Sequence, residues 1–522
     1  MSTQSGREFG VVDTGIESAL HSSIHLFRRR NLIASPLLHL PTELILKVFA
    51  HAIEPDDDND DDNRGPFLLV LTAICHQLRE IGIASPQLWR TVDLTTPLIA
   101  KVFLERCEYE PHTITKFMSA SEAEPMKNPR GDALWDELQG RRFNKLRSIV
   151  FGGPRHELTR KVVGILQNAP NISNLDLYNL WSRPSHELPW PISDPIPELS
   201  TLRLSKFSIS WTSALLRDLT QLVLDFPPAR FPSERTSIKM FLTALANCPN
   251  LEIPDLAHAG PELVNGNQEK CDTVVQLRRL RKLSLEFRDP SRVGYILSHV
   301  GYPESTKLEV YVLVSAYIDP SQTISQVLPH RNAQTTQHFD KSTALTIYLD
   351  DESYFSTDNV RVHFQGLDFH YGFLRDPQFL PRFASKILEI VGGDTITSLN
   401  IEAREIDPPD GMWEVLLHGL PRLERICYDL IKKEQDSPVA NSFVLVFSKL
   451  FEGSPVYPHL RRLELSKGML AHDASVTALK RALMERDACG RRLKRMGLSG
   501  TVTEAEDGLV LEQFRDLVDE VQ

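Results

Sequence analysis

The side chains of this 522-residue chain best suited to chemistry are its histidine–glutamate steps, its paired aspartates and its cysteines. A zinc hydrolase of the H-E-x-x-H kind needs two histidines on one helical face, with the glutamate as general base. His156-Glu157 and His186-Glu187 open that pattern, but each lacks the second histidine. Asp350-Asp351 and the Asp407/Asp410 pair lie beside Ser or Pro, a composition that makes turns. Gly392-Gly393-Asp394 leads into a predicted strand, whereas a phosphate-cradling loop opens a helix. No G-x-x-x-x-G-K-[ST], no G-x-G-x-x-G after a strand and no G-x-S-x-G occurs. Cys75, Cys107, Cys248, Cys271, Cys427 and Cys489 lie far apart without a C-x-x-C pair, so neither a disulfide framework nor a zinc site is expected. The acidic run Glu54 to Pro66 fails as a calcium loop. The twelve-residue EF-hand pattern wants Gly sixth and Glu twelfth. Counted from Asp57 those places hold Asp62 and Leu68, and from Asp58 they hold Asn63 and Leu69. Its six aspartates within residues 56–62 repel one another, and the run is expected to be disordered. The sequence therefore predicts no catalytic residues, no metal and no cofactor, and a protein that is not an enzyme.

Binding chemistry remains. Two basic runs, Arg278 to Lys282 and Gly490 to Arg495, lack interleaved aromatics and sit in a chain of net charge −11. They read as solvated faces or contacts to an acidic partner, not as a nucleic-acid or membrane surface. No apolar run approaches the roughly 20 residues needed to span a bilayer. The first ten residues are polar and show no leader pattern, so an intracellular protein, cytoplasmic or nuclear, is expected. Apolar residues at 41% and charged residues at 24% are ordinary for a globular protein, and the length calls for more than one core.

The positioning elements change type along the chain. Residues 1–34 read as a loose tail followed by an amphipathic helix from Thr14 to Arg30, with Ile16, Leu20, Ile24 and Phe27 on the face that would pack beside the next helix. Residues 35–95 read as three short helices interrupted by the acidic insert at 54–66. The first opens at Leu40-Pro41 and carries Leu44, Ile45, Val48, Phe49 and Ala52 as one apolar stripe, with Glu43 at its positive end. The second covers Phe67 to Ile83, and the third covers Ser85 to Trp89 with Ser85 as its cap. Three such helices carry more apolar surface than they can hide, and an excess of this kind marks a partner surface.

From residue 96 to 522, short L-x-L segments recur: N-L-D-L (174–177), T-L-R-L (201–204), Q-L-V-L (221–224), K-L-S-L (282–285), S-L-N-I (398–401), R-L-E-L (462–465) and R-M-G-L (495–498), with K-L-R-S-I-V (145–150) alike. Less regular candidates are N-L-E-I (250–253), K-L-E-V (307–310) and A-L-T-I (344–347). Many follow a helical pattern and a Pro-containing break, and well-aligned ones recur at roughly 20 to 33 residues. That predicts an α/β solenoid of strand–helix units, the alternative being an ordinary α/β domain with a parallel sheet. Irregular pieces are expected near 320–342 and 350–395, a proline-dense loop over Tyr178 to Glu198, a break at Asp436 to Asn441 and a closing helix over Leu509 to Val521. Because side chains alternate across a strand, Asn174, Asp176, Thr201, Arg203, Lys282, Ser284, Asn400, Glu402, Arg462 and Glu464 are expected to share the face opposite the leucines and to meet a target protein.

The helical stretch resembles an F-box, the module that docks on the Skp adaptor of cullin–RING ubiquitin ligases. The resemblance rests on L-P-x-E-L-I at Leu40 to Ile45, Val48-Phe49, I-C-H-Q-L-R-E at Ile74 to Glu80 and S-P-x-L-W at Ser85 to Trp89. It covers about an eighth of the chain and departs at Leu78, where the family often has Trp. The repeats resemble leucine-rich repeats in their L-x-L core but mostly lack the Asn or Cys that follows the strand. The whole layout resembles the F-box proteins with divergent repeats of mushroom-forming fungi. This resemblance implies an adaptor-binding set of Leu40, Pro41, Glu43, Leu44, Ile45, Val48, Phe49, Leu71, Cys75, Leu78 and Trp89, with the Skp adaptor and, through it, a cullin–RING complex as partners, and a repeat domain that holds a target for ubiquitin transfer. Two other readings stand beside it: an interaction scaffold whose helices cap the repeats, and an enzyme with a site hidden in 286–395.

Overall fold

The computed structural model describes residues 22–31, 33–53, 65–117, 134–138, 141–153, 162, 164–179, 186–187, 196–226, 237–261, 271–313, 326–327, 344–352, 357–364, 367–373, 379–404, 408–431, 442–451, 458–470, 473–499 and 512–521. These form two compact units, Met1–Lys206 and Phe207–Gln522. Both mix helices with large parallel sheets, and no sheet closes into a barrel among the described residues.

The first unit begins with helix over 22–31, on which Ile24 and Phe27 are exposed. They do not pack beside the next helix as their spacing suggested, and Ile16 and Leu20 lie outside the described residues. After a 3-10 turn at Pro36–His39 comes α1 (Thr42–Ile53), where the Pro41 carbonyl accepts from the N–H groups of Leu44 (2.9 Å) and Ile45 (3.2 Å). Residues 54–64 of the acidic insert lie outside the described residues. The single second helix expected from Phe67 to Ile83 is two, α2 (Gly65–Ile74) and α3 (His76–Ile83). The chain breaks at Cys75, which is extended at φ −153 and ψ 166. Arg79 bridges the break, its Nε donating to the Thr72 carbonyl at 3.0 Å. α3 folds back so closely that a Cβ on Gly82 would lie 2.6 Å from Thr72 Cγ2. The Ser85–Trp89 segment is a 3-10 turn, and Ser85 does not cap it; its hydroxyl donates to the Ile81 carbonyl instead, at 2.8 Å.

Trp89 ties these helices to the next element of the chain. Its Nε1 donates to the Gly82 carbonyl at 2.7 Å. Its ring meets Phe103 edge-on at 4.9 Å between centroids, and the Arg106 guanidinium lies 4.1 Å from the ring centre. Phe103 and Arg106 belong to α4 (Pro97–Arg106), so the helices of 35–95 and the first strand–helix element share one compact unit. A parallel sheet runs through that unit in chain order: β1 (Thr91–Asp93), β2 (Thr113–Phe117), β3 (Ser148–Gly152), β4 (Asn174–Tyr178) and β5 (Thr201–Ser205).

The second unit repeats the scheme. β6 (Gln221–Asp225), β7 (Ile253–Ala257), β8 (Lys282–Phe287) and β9 (Lys307–Leu313) pair in parallel and in order. α5 (Ile238–Ala246) and α6 (Pro290–His299) connect them, capped by Ser237 and Asp289. The order then reverses. β10 (Ala344–Glu352), β11 (Thr357–Phe364) and β12 (Leu367–Phe373) form an antiparallel meander inserted backwards: β9 pairs with β12, and β10 pairs with the next strand, β13 (Ser398–Arg404). Much of the piece expected to be irregular at 350–395 is therefore strand and helix. β13, β14 (Arg425–Ile431), β15 (Arg462–Ser466), β16 (Leu493–Ser499) and β17 (Val518–Val521) resume parallel order. Their connecting helices α7 (Phe379–Val391), α8 (Asp410–Gly419), α9 (Ser442–Phe451) and α10 (Asp473–Ala488) pack side by side in the same order. Gly392 and Gly490, with φ of 74 and 68, follow the ends of α7 and α10 in the left-handed conformation that a helix stop favours. Trp413 of α8, Tyr428 of β14 and Phe443 of α9 form one aromatic knot, with centroids 4.7 to 5.7 Å apart. The closing helix expected over Leu509 to Val521 is corrected: turns lead into β17, whose Val518 is buried and pairs with Leu493. The proline-dense loop and the break at Asp436 to Asn441 lie largely outside the described residues, as does most of 320–342.

One backbone feature recurs at nearly every step. The carbonyl just ahead of a strand accepts two successive N–H groups from the start of the next. In the first unit Arg90, His112, Arg147 and Ser173 do this at 2.8 to 3.2 Å. In the second Thr220, Glu252, Thr397, Glu424 and Arg461 do it at 2.7 to 3.2 Å.

Because Gly82 is pressed against buried Thr72 and lies near Phe49, Gly82→Ala is expected to destabilise the chain by about 1–3 kcal/mol. Chemical denaturation of the two proteins measures it; an unchanged midpoint would mean that α3 does not pack this tightly.

Candidate protein-interaction surfaces

The apolar stripe of α1 divides lengthwise. Ile45 and Phe49 are buried, while Leu44 and Val48, with Leu40 just ahead of the helix, face outward beside exposed Pro41 and Glu43. On α2, Phe67, Val70 and Ile74 recur at three- and four-residue spacing and are exposed too. Exposure across these six apolar side chains runs from 38% at Leu40 to 61% at Ile74. Leu71 and Cys75 are half-buried. Leu78 and Trp89 are buried. Ile45, Phe49, Leu78 and Trp89 thus leave the expected docking set, because they form the unit's own core. Phe67, Val70 and Ile74 join it from the fold alone: a segment that is apolar almost all round, as 67–74 is, gives no sign in the sequence of which face stays outside.

On the sheets, the alternation holds well. Leu175, Leu177, Leu202, Leu204, Leu283, Leu285, Leu399, Ile401, Leu463 and Leu465 are buried. Between them, Asn174 and Arg203 are exposed, and Asp176, Thr201, Lys282, Asn400, Glu402, Arg462 and Glu464 are half-buried. Ser284 is the exception. It is buried, because its short side chain is flanked in register by Asp255 and Glu309 on the neighbouring strands.

These polar residues fall into separate sets. In the first unit Asn174 neighbours Thr201 and Asp176 neighbours Arg203 in register, and the Tyr178 hydroxyl donates to Asp176 at 3.1 Å. In the second unit Glu309 sits between Lys282 and Lys307, 2.8 Å from each ammonium. Burial pushes the Glu309 carboxyl up, but the two hydrogen bonds outweigh it and hold the group below the ordinary carboxylate range. Further along, Arg425, Arg462 and Arg495 lie side by side on β14, β15 and β16. Glu464 takes hydrogen bonds from Arg425 (2.9 Å) and Arg462, and Glu520 takes a bidentate pair from Arg495. Burial raises the Glu464 carboxyl, yet its two arginine partners bring it below the ordinary range. Next to it, burial first and then Glu464 push the Cys427 thiol up to about 11, so it is no nucleophile at neutral pH. Asn400 donates to the Thr346 hydroxyl at 3.3 Å, while its buried Oδ1 has no hydrogen-bond partner.

The expected solvated faces carry ion pairs: Arg281 with Glu252 at 3.6 Å and Arg492 with Asp519 at 3.2 Å. His156, Glu157 and Asp407 lie outside the described residues. Among the described residues no group of three His, Cys, Asp or Glu could hold a metal ion, and no helix is long and apolar enough to cross a membrane.

No family model and no curated protein matches this chain. Its surfaces present apolar stripes on two helices and mixed polar rows on the strands of each unit.

The Glu464 clamp has a measurable sign. Its folded pKa lies below the ordinary glutamate range, so the stability it contributes is complete above that range and is lost as pH falls through the folded value. Glu464→Gln is expected to melt below the wild type at neutral pH, with the gap closing under acid. A gap that stays constant from neutral to acid would show that the carboxylate is not held by its arginines.

Proposed function

We propose that this chain is the substrate-recognition subunit of a Skp–cullin–F-box ubiquitin ligase, with its N-terminal helices docking on the Skp adaptor and its strand–helix repeats, stacked as a solenoid, holding a target protein. The observation that carries the reading is the exposed apolar row Leu40, Leu44 and Val48, inside the stretch that resembles an F-box, together with Phe67, Val70 and Ile74 on the adjoining helix. Six large apolar side chains, each about half exposed on a helical pair, cost free energy that a partner would recover at roughly half of the 1.5–3 kcal/mol that full burial of such a side chain is worth. The polar rows on the strands suit recognition of another protein better than a small-molecule pocket, since they are mixed in charge and rich in donors and acceptors. In this role the chain has no bond chemistry of its own; it holds the target near the transferred ubiquitin and makes that transfer effectively intramolecular.

A second reading is favoured by one observation. Trp89, whose motif completes the F-box resemblance, packs against Phe103 and Arg106 of α4, so the helices also pack on the first strand–helix element. On this reading the chain is a binding scaffold outside any ligase, and the helices serve as its cap.

Purified Skp adaptor separates the two. The full chain is expected to retain the adaptor in a pull-down, and Leu44→Asp with Val48→Asp is expected to weaken binding roughly a hundredfold or more. A folded wild-type chain that does not bind the adaptor would reject the ligase reading and leave the scaffold.

A further inference from the structure

The first three strands of the N-terminal unit begin on basic side chains, arginines on the first and third and a histidine between them. Arg90, His112 and Arg147 stand one residue ahead of β1, β2 and β3. The ladder sets them side by side, since the His112 N–H donates to the Arg90 carbonyl at 2.9 Å and the Arg147 N–H donates to the His112 carbonyl at 2.8 Å. Neighbouring strands lie about 4.8 Å apart, so the three positions span roughly 10 Å. Lys145 adds an ammonium two residues before Arg147. Among the described residues, the carboxylate acting on His112 is Glu110, which is taken by an ion pair with Lys145. Arg147 is exposed, and its guanidinium donates to the Asn171 carbonyl at 3.2 Å. Among the described residues neither Arg90 nor Arg147 has a carboxylate partner.

The crowding registers on His112. Burial first, and then the charges of Arg90, Lys145 and Arg147, hold its imidazole below the ordinary histidine range, with Glu110 opposing. Like charges on adjacent strands repel and destabilise the pairing. Here they are gathered on one rim of a chain whose net charge is −11.

We propose that the rim formed by Arg90, His112, Lys145 and Arg147 is a docking surface for a carboxylate-rich segment of a partner polypeptide. The layout selects this chemistry. Arginines on the first and third strands, with the neutral His112 ring between them as a hydrogen-bonding group, meet separated carboxylates, whereas a single phosphate needs donors converging on one point. Nucleic acid needs a far wider positive surface than four side chains of an acidic protein. The inference rests on the reading of the chain as a target-binding protein and names the partner's chemistry; the adaptor-docking helices play no part in it.

The test is fluorescence anisotropy of a labelled peptide of alternating Glu and Gly, titrated with the full chain. The Glu peptide is expected to bind, with affinity falling as salt is added, while the matching Gln peptide does not bind. Arg147→Gln, at an exposed position, is expected to weaken binding about tenfold with an unchanged circular dichroism spectrum. Adding Arg90→Gln should remove the remainder. Arg461→Gln with Lys494→Gln, at the matching rim positions of the second unit, should leave binding intact. Equal binding of the Glu and Gln peptides, equal loss in the Arg461/Lys494 control, or tighter binding of a singly phosphorylated peptide or an RNA oligonucleotide would overturn the proposal. Loss of peptide binding with adaptor binding intact removes this surface alone, and the reverse result removes the ligase reading alone.

Discussion

A parallel strand of five to seven residues has no hairpin partner to hold it, so its register must come from somewhere else. In this chain it comes from the carbonyl that precedes each strand. By accepting two successive N–H groups at nearly every step, that carbonyl fixes where the next strand begins, and from there the pairs Leu175 with Leu202 and Leu463 with Met496 align. A slip of one residue would turn every leucine outward and every polar neighbour into the core. The helices depend on the same constraint. α7 to α10 can pack side by side because the strands before and after them advance in step. Rows of like or opposite charge across a sheet, such as Arg425, Arg462 and Arg495, are the chemical result of that registration.

Much of this was legible in the sequence, for a physical reason. L-x-L with polar residues between is the period-two signal of a half-buried strand, and it marks β4, β5, β6, β8, β13, β15 and β16 correctly. β14 carries no L-x-L segment: its core pair is Ile426 and Tyr428, and buried Leu423 lies before the strand. β7 is displaced from its sequence signal: its segment is I-P-D-L-A, and Leu251 is buried ahead of it. The meander β10 to β12 is beyond local pattern, because strand direction and order are set by pairing partners far away in the chain. The break at Cys75 is invisible because apolar spacing continues across it from Leu71 to Leu78.

The interaction surfaces were half legible. Parity predicts which sheet residues escape the core, and it fails at Ser284, where parity is right but the neighbours are large. On α1 the sequence supplies a stripe and cannot say how wide a strip the chain itself covers. Only the fold shows that Ile45 and Phe49 turn in while Leu44 and Val48 turn out. The cationic rim was illegible: Arg90, His112 and Arg147 lie far apart along the chain and meet only because three strands start level.

The last strand carries a consequence for how the protein behaves in concentrated solution. Among the described residues β17 pairs on one side only, with β16, and so presents a row of open backbone groups to any other extended chain. It is four residues long and holds Asp519 and Glu520. Both carboxylates are engaged by arginines, Asp519 by Arg492 and Glu520 by Arg495. A short, charged strand is a poor template for a second molecule to extend. Pairing of two molecules through β17 is thus self-limiting, and growth of a parallel array from chain to chain by that route is discouraged.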